Sequence, residues 1–313
     1  MKILLILSLF FVLFQNHVYA DYIVMVDGEI VYEENSHHVQ SVASISKVMT
    51  ALVAIENSDI QDIVQIDQKA TEQIGSSLYM HINERYTLLS LIYGLILRSG
   101  NDAAYAIANH VGGNQENFVR MMNEKAKQLG MKNTTFSNPS GLDEFDSGNQ
   151  STVYDMALCM QAAMKNEIFR IITNTKQYKA ENNRVWINKN RLLREYKYCN
   201  GGKTGYTTQS GKTLITSANK DGMESIVVSF RESDYFMLHK IYHEEVNEKY
   251  KTILLIQKGE YKIKDKKIII EEDIKTLLYK DQELDIETKL IDNYIYIQYN
   301  RLDSIFERKV KLL

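Results

Sequence analysis

Apolar positions along this chain recur with two different periods, and the period switches several times. Residues 22–32, YIVMVDGEIVY, hold two runs of β-favouring side chains around Asp27-Gly28, a dipeptide suited to a tight hairpin. From Ser44 the rhythm changes: SISKVMTALVAIEN spaces Val48, Leu52 and Ile55 by four and three, one face of a helix. Further helices are predicted over LLSLIYGLILR (88–98), over NFVRMMNEKAKQLG with Gly130 as its stop, and over VYDMALCMQAAMKN (153–166). SNPSGLDEFDSGN (137–149) holds the only proline and reads as loop. KTLITSA and ESIVVSF flank NKDGM as an antiparallel hairpin turning at Asp221-Gly222, and SDYFMLHKIYHEEVNEKY follows as a helix.

Beyond residue 250 the pattern becomes β-like and charge-laced, in runs such as KIKDKKIIIEE and NYIYIQY, which predicts a small all-β domain over 251–313. At the other end, MKILLILSLFFVLFQNHVYA sets one lysine before an apolar run from Ile3 to Phe14 and places Val18 and Ala20 as a cleavage site. We expect residues 1–20 to be a secretory signal peptide, with an uncleaved anchor as the alternative; the run is shorter than the ~18 residues of a spanning helix. Residues 21–250 then form one large domain that mixes helices with antiparallel strands, an α+β arrangement and not a βαβ nucleotide fold. The last residues, FERKVKLL, are too few and too charged to hold a bilayer, so we expect an exported protein, secreted or wall-associated, with membrane attachment if the N-terminal segment stays uncleaved and otherwise at most a weak membrane or wall association. Among 313 residues, 37 basic and 40 acidic ones give a net charge of −3 with no block of one sign, which argues against a nucleic-acid partner. Two cysteines, Cys159 and Cys199, cannot build a disulfide framework; a single bridge and two free thiols are both open.

Candidate chemistry begins with CNGGKTGYTTQSGKTLIT (199–216), in which Gly-Lys-Thr occurs twice. A phosphate-cradling loop needs a glycine five positions before the first residue of that triplet, and those positions hold Lys197 and Tyr206. Neither copy is a nucleotide site. Lys203-Thr204-Gly205 opens a predicted strand, where a lysine and a hydroxyl suit a carboxylate and a glycine lets a ligand backbone approach; the simpler reading is a glycine-rich strand edge. Ser44-Ile45-Ser46-Lys47 sits at a helix start, which stacks Ser44 and Lys47 on one face and sets the hydroxyl in the field of the helix N-terminus. Serine is a weak nucleophile without a base, and lysine serves as one only when burial or another cation lowers its pKa. The pattern recurs at Ser217-Ala218-Asn219-Lys220 in the hairpin, where no face is shared, so spacing alone decides little. Ser99-Gly100-Asn101 reads either as a helix end and cap or as a proton-relaying serine beside an amide that holds a substrate backbone. Ser147-Gly148-Asn149 repeats those letters in a loop. His239 and His243 stand four apart on a helix with no third metal ligand in sight, and read as a surface pair.

Order and company carry more than any one motif. Ser-x-x-Lys, Ser-x-Asn and Lys-Thr-Gly, in that order, are the motif set of penicillin-binding proteins and serine β-lactamases. ASISKVMTALVAIE (43–56), LLSLIYGLILRSGNDAA (88–104), MMNEKAKQLGMKNTTFSNPSGLD (121–143) and GGKTGYT (201–207) closely resemble the low-molecular-weight penicillin-binding proteins, the serine-type D-alanyl-D-alanine carboxypeptidases, over roughly residues 21–250.

The resemblance implies a DD-peptidase/β-lactamase-like α+β fold, a central antiparallel sheet flanked by helices, followed here by the small C-terminal all-β domain. It implies Ser44 as acylated nucleophile, Lys47 as its base and Ser99 on the opposite wall, with Asn101 gripping the substrate peptide. Lys203 and Thr204 would bind the terminal carboxylate, Lys203 would help keep Lys47 neutral, and Gly205 completes the strand motif. The oxyanion hole maps to the backbone N–H groups of Ser44 and Tyr206. Arg231 is the nearest candidate for an arginine that many relatives carry beyond this strand, although SFRESDY departs from their pattern. The implied substrate is a peptidoglycan stem peptide ending in D-Ala-D-Ala, with β-lactams as inhibitors and no metal or organic cofactor. Two rivals stand beside this reading. A β-lactamase on the same fold would carry a Glu-x-x-Leu-Asn loop between Ser99 and Lys203, which Glu181-Asn182-Asn183 does not fit. A non-catalytic wall-binding protein would keep the fold without the chemistry.

Overall fold

The computed structural model describes residues 21–143, 148–263, 266–292 and 294–311; the expected signal peptide and Ser147 lie outside the described residues. Five strands form one antiparallel sheet: β1 (Asp21–Val26), β2 (Glu29–Glu34), β3 (Cys199–Thr207), β4 (Gly211–Lys220) and β5 (Met223–Phe230). Their order is β2-β1-β5-β4-β3, which leaves β3 as an edge. Both hairpins turn at the expected dipeptides, with φ of 46° and 87° at Asp27-Gly28 and 55° and 84° at Asp221-Gly222. Two consecutive positive φ angles give the turn whose twist matches that of the strands.

Alternation along the strands sends Ile23, Met25, Ile226, Val228 and Phe230 into one core and Val24, Val26 and Val227 into another. That is the period-two signature of a sheet covered on both faces. The first core is completed by α1 (Lys47–Asn57), α2 (Leu88–Arg98), α3 (Asn101–Gly112), α4 (Gln115–Gln128), α5 (Val153–Lys165) and α6 (Glu167–Asn174). The second is covered by α7 (Tyr235–Lys249). α1 is buried from Lys47 to Ile55, and α2 is buried on nearly every side. A helix with no polar face has to sit centrally. Because α1 and α2 are central, the Ser44 turn at the head of α1 and the Ser99-Gly100-Asn101 junction between α2 and α3 are held deep in the domain.

Two expectations change, and one open alternative is decided. Ser44 does not lie in an α-helix: Ala43–Ser46 is a 3-10 turn and α1 begins at Lys47. His239 and His243 are not a surface pair; both are fully buried between α7 and the sheet. His239 is hydrogen bonded to Thr216 Oγ1 at 2.7 Å and Ser229 Oγ at 2.9 Å, His243 to Thr216 Oγ1 at 2.8 Å and Ser225 Oγ at 2.8 Å. The sheet presents hydroxyls on this face, so both imidazoles are buried with their nitrogens satisfied. Cys159 and Cys199 are buried free thiols in two separate core clusters.

α7 leads directly into Tyr250–Ile256, which pairs with Ile274–Tyr279. A hairpin of Gly259–Ile263 and Lys266–Ile270 and a three-stranded sheet, Ile286–Ile291, Tyr294–Arg301 and Ser304–Lys311, complete this all-β region. Ile268, Ile270, Ile274, Ile297 and Tyr299 give it a core of its own. It meets the sheet at the first hairpin, where Thr252 donates to Asp27 and Arg301 pairs with Glu29. Among the described residues no helix is long and apolar enough to cross a membrane.

Burial holds His239 well below its ordinary pKa and His243 down at about 3. The unfolded chain, with histidines at ~6.5, therefore takes up protons first as pH falls. This contribution to stability is full above pH ~6.5 and is lost as pH drops from there toward 3, at up to ~1.4 kcal/mol per pH unit for each histidine. Urea unfolding from about pH 7 to about pH 5 should show a shallower decline for His243→Gln than for the parent chain; equal slopes would show that His243 does not titrate on unfolding.

Candidate active site

The 3-10 turn preserves what the α-helix was expected to provide. With three residues per turn, side chains at i and i+3 eclipse one another. Lys47 Nζ accordingly donates to Ser44 Oγ at 3.0 Å, and also to Asn101 Oδ1 at 2.8 Å and to the Ser140 carbonyl. Opposite, Lys203 Nζ donates to Ser99 Oγ at 3.0 Å and to the Thr204 carbonyl at 2.6 Å. Both lysines are buried, at 0% and 2% exposure, while Ser44 is half-buried. Three motifs from three elements thus meet in one cleft between the sheet edge and the helices.

Each partner is fixed locally. Ser99 ends α2 in the left-handed conformation, φ 67°, which breaks the helix and lets α3 restart at Asn101. Asn101 is held from behind, its Nδ2 donating to the Ile74 carbonyl at 2.6 Å and its backbone N–H to the Ser76 carbonyl at 2.7 Å. Ser140 is set by Asn138, whose Oδ1 accepts from Ser140 N at 3.1 Å, Ser140 Oγ at 2.9 Å and Gly141 N at 2.7 Å. Asn149, part of the loop decoy, is fully buried and accepts from Ser137 N at 2.8 Å and Asn138 N at 3.1 Å. Ser217 and Lys220, the second Ser-x-x-Lys, go separate ways: Ser217 Oγ donates to Asn200 Oδ1 at 2.7 Å and Lys220 lies over the Tyr198 ring.

Gly205 is needed for a different reason from the one expected. A Cβ there would strike Thr213 Oγ1 and lie 3.0 Å from Ser44 N and 3.1 Å from Ile45 N. The space on that face belongs to the chain's own Ser44 turn. Along β3, Lys203 and Gly205 face that turn, while Thr204 and Tyr206 alternate to the other side, Thr204 half-buried and Tyr206 exposed. Arg231 is not drawn into the cluster: it follows β5 at φ 59°, and its guanidinium donates to the Gln209 carbonyl at 3.3 Å, at the β3–β4 turn.

Burial is the main cause that brings the Lys47 pKa down to about 7; the charge of Lys189 adds to it and Asp102 opposes it. Lys203 is pushed well below its ordinary range by burial first, then by Lys47 and Lys189. The expectation that Lys203 keeps Lys47 neutral therefore changes emphasis, because desolvation does most of that. Three groups escaped the sequence reading. Ser140 acts through a carbonyl, which carries no side-chain signature, although its segment lies in the quoted NPSGLD stretch. Lys189, whose Nζ donates to Ser76 Oγ at 3.1 Å, belongs to no motif. Asp102, adjacent to the Ser-Gly-Asn motif, accepts from Ser77 Oγ at 2.7 Å and Leu78 N at 2.8 Å. Among the described residues no group of three or more His, Cys, Asp or Glu could hold a metal ion.

A half-buried serine bonded to a buried lysine three residues on is faced by a second serine–lysine pair at the sheet edge, on a helix-flanked antiparallel sheet. The chain belongs to the peptidase S11 family, D-alanyl-D-alanine carboxypeptidase, which matches residues 13–233. It is similar to the D-alanyl-D-alanine carboxypeptidase DacF of Bacillus subtilis, 38% identical over 215 residues, 66% of this chain and 55% of that protein. A solved structure of the D-alanyl-D-alanine carboxypeptidase from Mycobacterium tuberculosis matches 67% of this chain and 81% of its own, with 32% identity and a TM-score of 0.64. Penicillin binding protein 5 from Haemophilus influenzae shares the fold over 94% of this chain and 96% of its own, with a TM-score of 0.81 at 24% identity. The chain spans about half the length of several curated relatives that it matches.

Gly141 tests how far the site depends on this packing. Its φ is +78°, and a Cβ would land on the Ala43 carbonyl and 2.5 Å from Ser46 Oγ. Gly141→Ala should destabilise the fold by about 3 kcal/mol, combining backbone strain with overpacking. Thermal unfolding checks this, and an unchanged melting temperature would show that the loop simply moves aside.

Proposed function

We propose that this chain is a serine-type D-Ala-D-Ala carboxypeptidase that removes the terminal D-alanine from peptidoglycan stem peptides. Residues 21–250 are its catalytic domain and 251–313 a small separate β domain. One observation carries the reading: Lys47 Nζ lies 3.0 Å from Ser44 Oγ, in a buried position that brings its pKa to about 7. At neutral pH a large share of that amine is unprotonated and able to act as a base.

In this reading neutral Lys47 takes the Ser44 proton as Oγ attacks the carbonyl carbon of the penultimate D-alanine. The developing oxyanion faces the backbone N–H groups of Ser44 and Tyr206, a type of donor worth ~10²–10³ in rate. Ser99, bonded to Lys203, relays to the leaving amine the proton that Lys47 took, so D-alanine departs, an ester remains on Ser44 and Lys47 is neutral again. Water then attacks the same carbon, giving a proton to Lys47, which returns it to Ser44 Oγ as the ester breaks. The extended peptide adds along the open edge of β3 and is held by Asn101. Its carboxylate sits by Lys203 and Thr204, and an anion there restores the charge that burial denies Lys203. Arg231 is left outside this scheme. A β-lactam enters as a strained amide and acylates Ser44 in the same way.

The β-lactamase alternative is disfavoured by Glu181. Its carboxylate accepts from Thr87 N at 3.1 Å and Thr87 Oγ1 at 3.0 Å, at the N-cap of α2. Ser99 caps the other end of that 11-residue helix, ~16 Å away. Residues 1–20 fit an export leader, which would place the enzyme outside the cytoplasm at the wall, with a role in peptidoglycan maturation and cell shape.

Intact mass of the protein mixed with benzylpenicillin should show a lasting one-to-one adduct, absent in Ser44→Ala. Drug turnover without an adduct would indicate a β-lactamase, and neither adduct nor turnover a binding protein. The acylation rate should rise as pH passes about 7, where Lys47 loses its proton, and level off above. A flat profile would remove Lys47 as the base. Lys47→Gln should slow acylation by ~10³ or more, measured against the parent at the same pH.

A further inference from the structure

At the end of β3 away from Ser44, a groove of about 1130 Å³ opens between α7 and the segment 193–198. Its floor is fixed. Tyr196 is buried, accepts from Asn247 Nδ2 at 2.7 Å and stacks on His243, and Tyr198 meets it edge-on with ring centroids 5.6 Å apart. Cations enter from several walls: Lys176 just after α6, Arg194 on the short helix Leu192–Glu195, Lys197 between the two tyrosines in sequence, and Lys220 at the end of β4. The ammonium groups of Lys197 and Lys220 share one ring, 4.6 and 5.3 Å from the centroid of Tyr198. Three carboxylates also line the groove, and two are already engaged, Glu195 with Arg191 at 3.1 Å and Glu244 with Lys240 at 3.8 Å. Among the described residues none of the four cations is ion-paired, and Glu248 is the one lining carboxylate left to oppose them.

We infer that this groove binds a linear polyanion of phosphodiester-linked repeats, a polyol phosphate, and holds the protein on it. Exposed lysines stay hydrated, so a single small anion gains little from any one of them. A chain that meets several at once gains from each contact and from the counterions it releases. The net charge of −3 does not draw a polyanion to the protein at large, which confines the attraction to this groove. The space is concave, open to a slender chain and closed to a flat bilayer. A tetrahedral phosphodiester turns its two charged oxygens toward different walls. A carboxylate holds both in one plane, the match for an arginine fork, and three of these four cations are lysines. Gly205, which abuts Ser44, lies six residues along β3 from Cys199, roughly 20 Å, so a polymer in the groove leaves the catalytic cleft open. The inference adds an anchoring contact and does not depend on the carboxypeptidase reading.

The test is fluorescence anisotropy of an end-labelled poly(glycerol phosphate) oligomer of about ten units with the purified full chain, at roughly 50 and roughly 200 mM salt. The parent protein should bind at the lower salt and lose about tenfold in affinity at the higher. Lys197→Glu combined with Lys220→Glu should weaken binding by about tenfold or more, and Lys176→Glu alone by about threefold. Lys127→Glu combined with Lys132→Glu makes the same change of charge outside the groove and should stay within about twofold of the parent. Glu248→Gln, which removes the opposing carboxylate, should tighten binding by about twofold. Unchanged melting temperatures show that charge and not unfolding is being read. No binding by the parent at the lower salt overturns the inference, as does an equal loss in the Lys127 and Lys132 variant. Poly-L-glutamate of the same length binding as tightly would make the groove a site for any negative chain, and phosphatidylglycerol vesicles binding as tightly would make it a membrane contact; either result removes the phosphodiester polymer. Saturating oligomer should leave acylation of Ser44 by benzylpenicillin within about twofold, and strong inhibition would place the polymer in the cleft instead. A parent protein that ignores benzylpenicillin but binds the oligomer as described defeats the carboxypeptidase reading and leaves the groove standing.

Discussion

The burial of Lys47 is the constraint around which this domain is arranged. An ammonium group sealed in a protein core is expensive to leave charged and expensive to leave unbonded. The structure answers both demands, with a pKa brought to about 7 and three oxygen acceptors on Nζ. Those acceptors come from the Ser44 turn, the head of α3 and the 137–143 loop, so three distant stretches of chain must be right at once. Asn101 depends on the 72–84 segment behind it, and Ser140 on Asn138, which depends on Asn149. The pKa of the lysine is low because so much structure is committed to surrounding it.

Close approach of backbones is the second demand. β3 can lie against Ser44 and Ile45 only where Gly205 has no side chain, and the 137–143 loop can lie against Ala43 only at Gly141. Ala43 itself is held at φ 50°, a strained value immediately before the serine. Lys203 and Lys189 add like charge to the same small volume. The result is a small volume in which burial and like charge hold both lysines below their ordinary range, with an open sheet edge beside it.

The two buried polar clusters show the same chemistry put to different ends. Around Lys47 the acceptors leave the serine half-exposed and reachable. Around His239 and His243 every ring nitrogen is occupied by a hydroxyl of the sheet and no part is exposed. The second cluster joins α7 to the sheet and offers nothing to a ligand.

The hairpins at Asp27-Gly28 and Asp221-Gly222, the central helices, the loop at the proline and the all-β end were legible in the sequence, because each follows from local periodicity and turn chemistry. Ser44, Lys47, Ser99, Asn101 and Lys203 were legible as well, because their motifs keep side-chain identity at fixed spacing. What the chain could not disclose locally was contact between segments far apart in sequence. A carbonyl such as Ser140's has no letter of its own, and Lys189 and Asp102 act through space on Lys47, 142 and 55 positions away. The same gap explains the histidines: polarity suggested a surface, and only the folded sheet supplied hydroxyls to bury them against. Sequence by itself therefore determined which groups could react, while tertiary structure decided which are buried, which are paired and how their protons are held, since desolvation and hydrogen bonding depend on neighbours that only folding assembles.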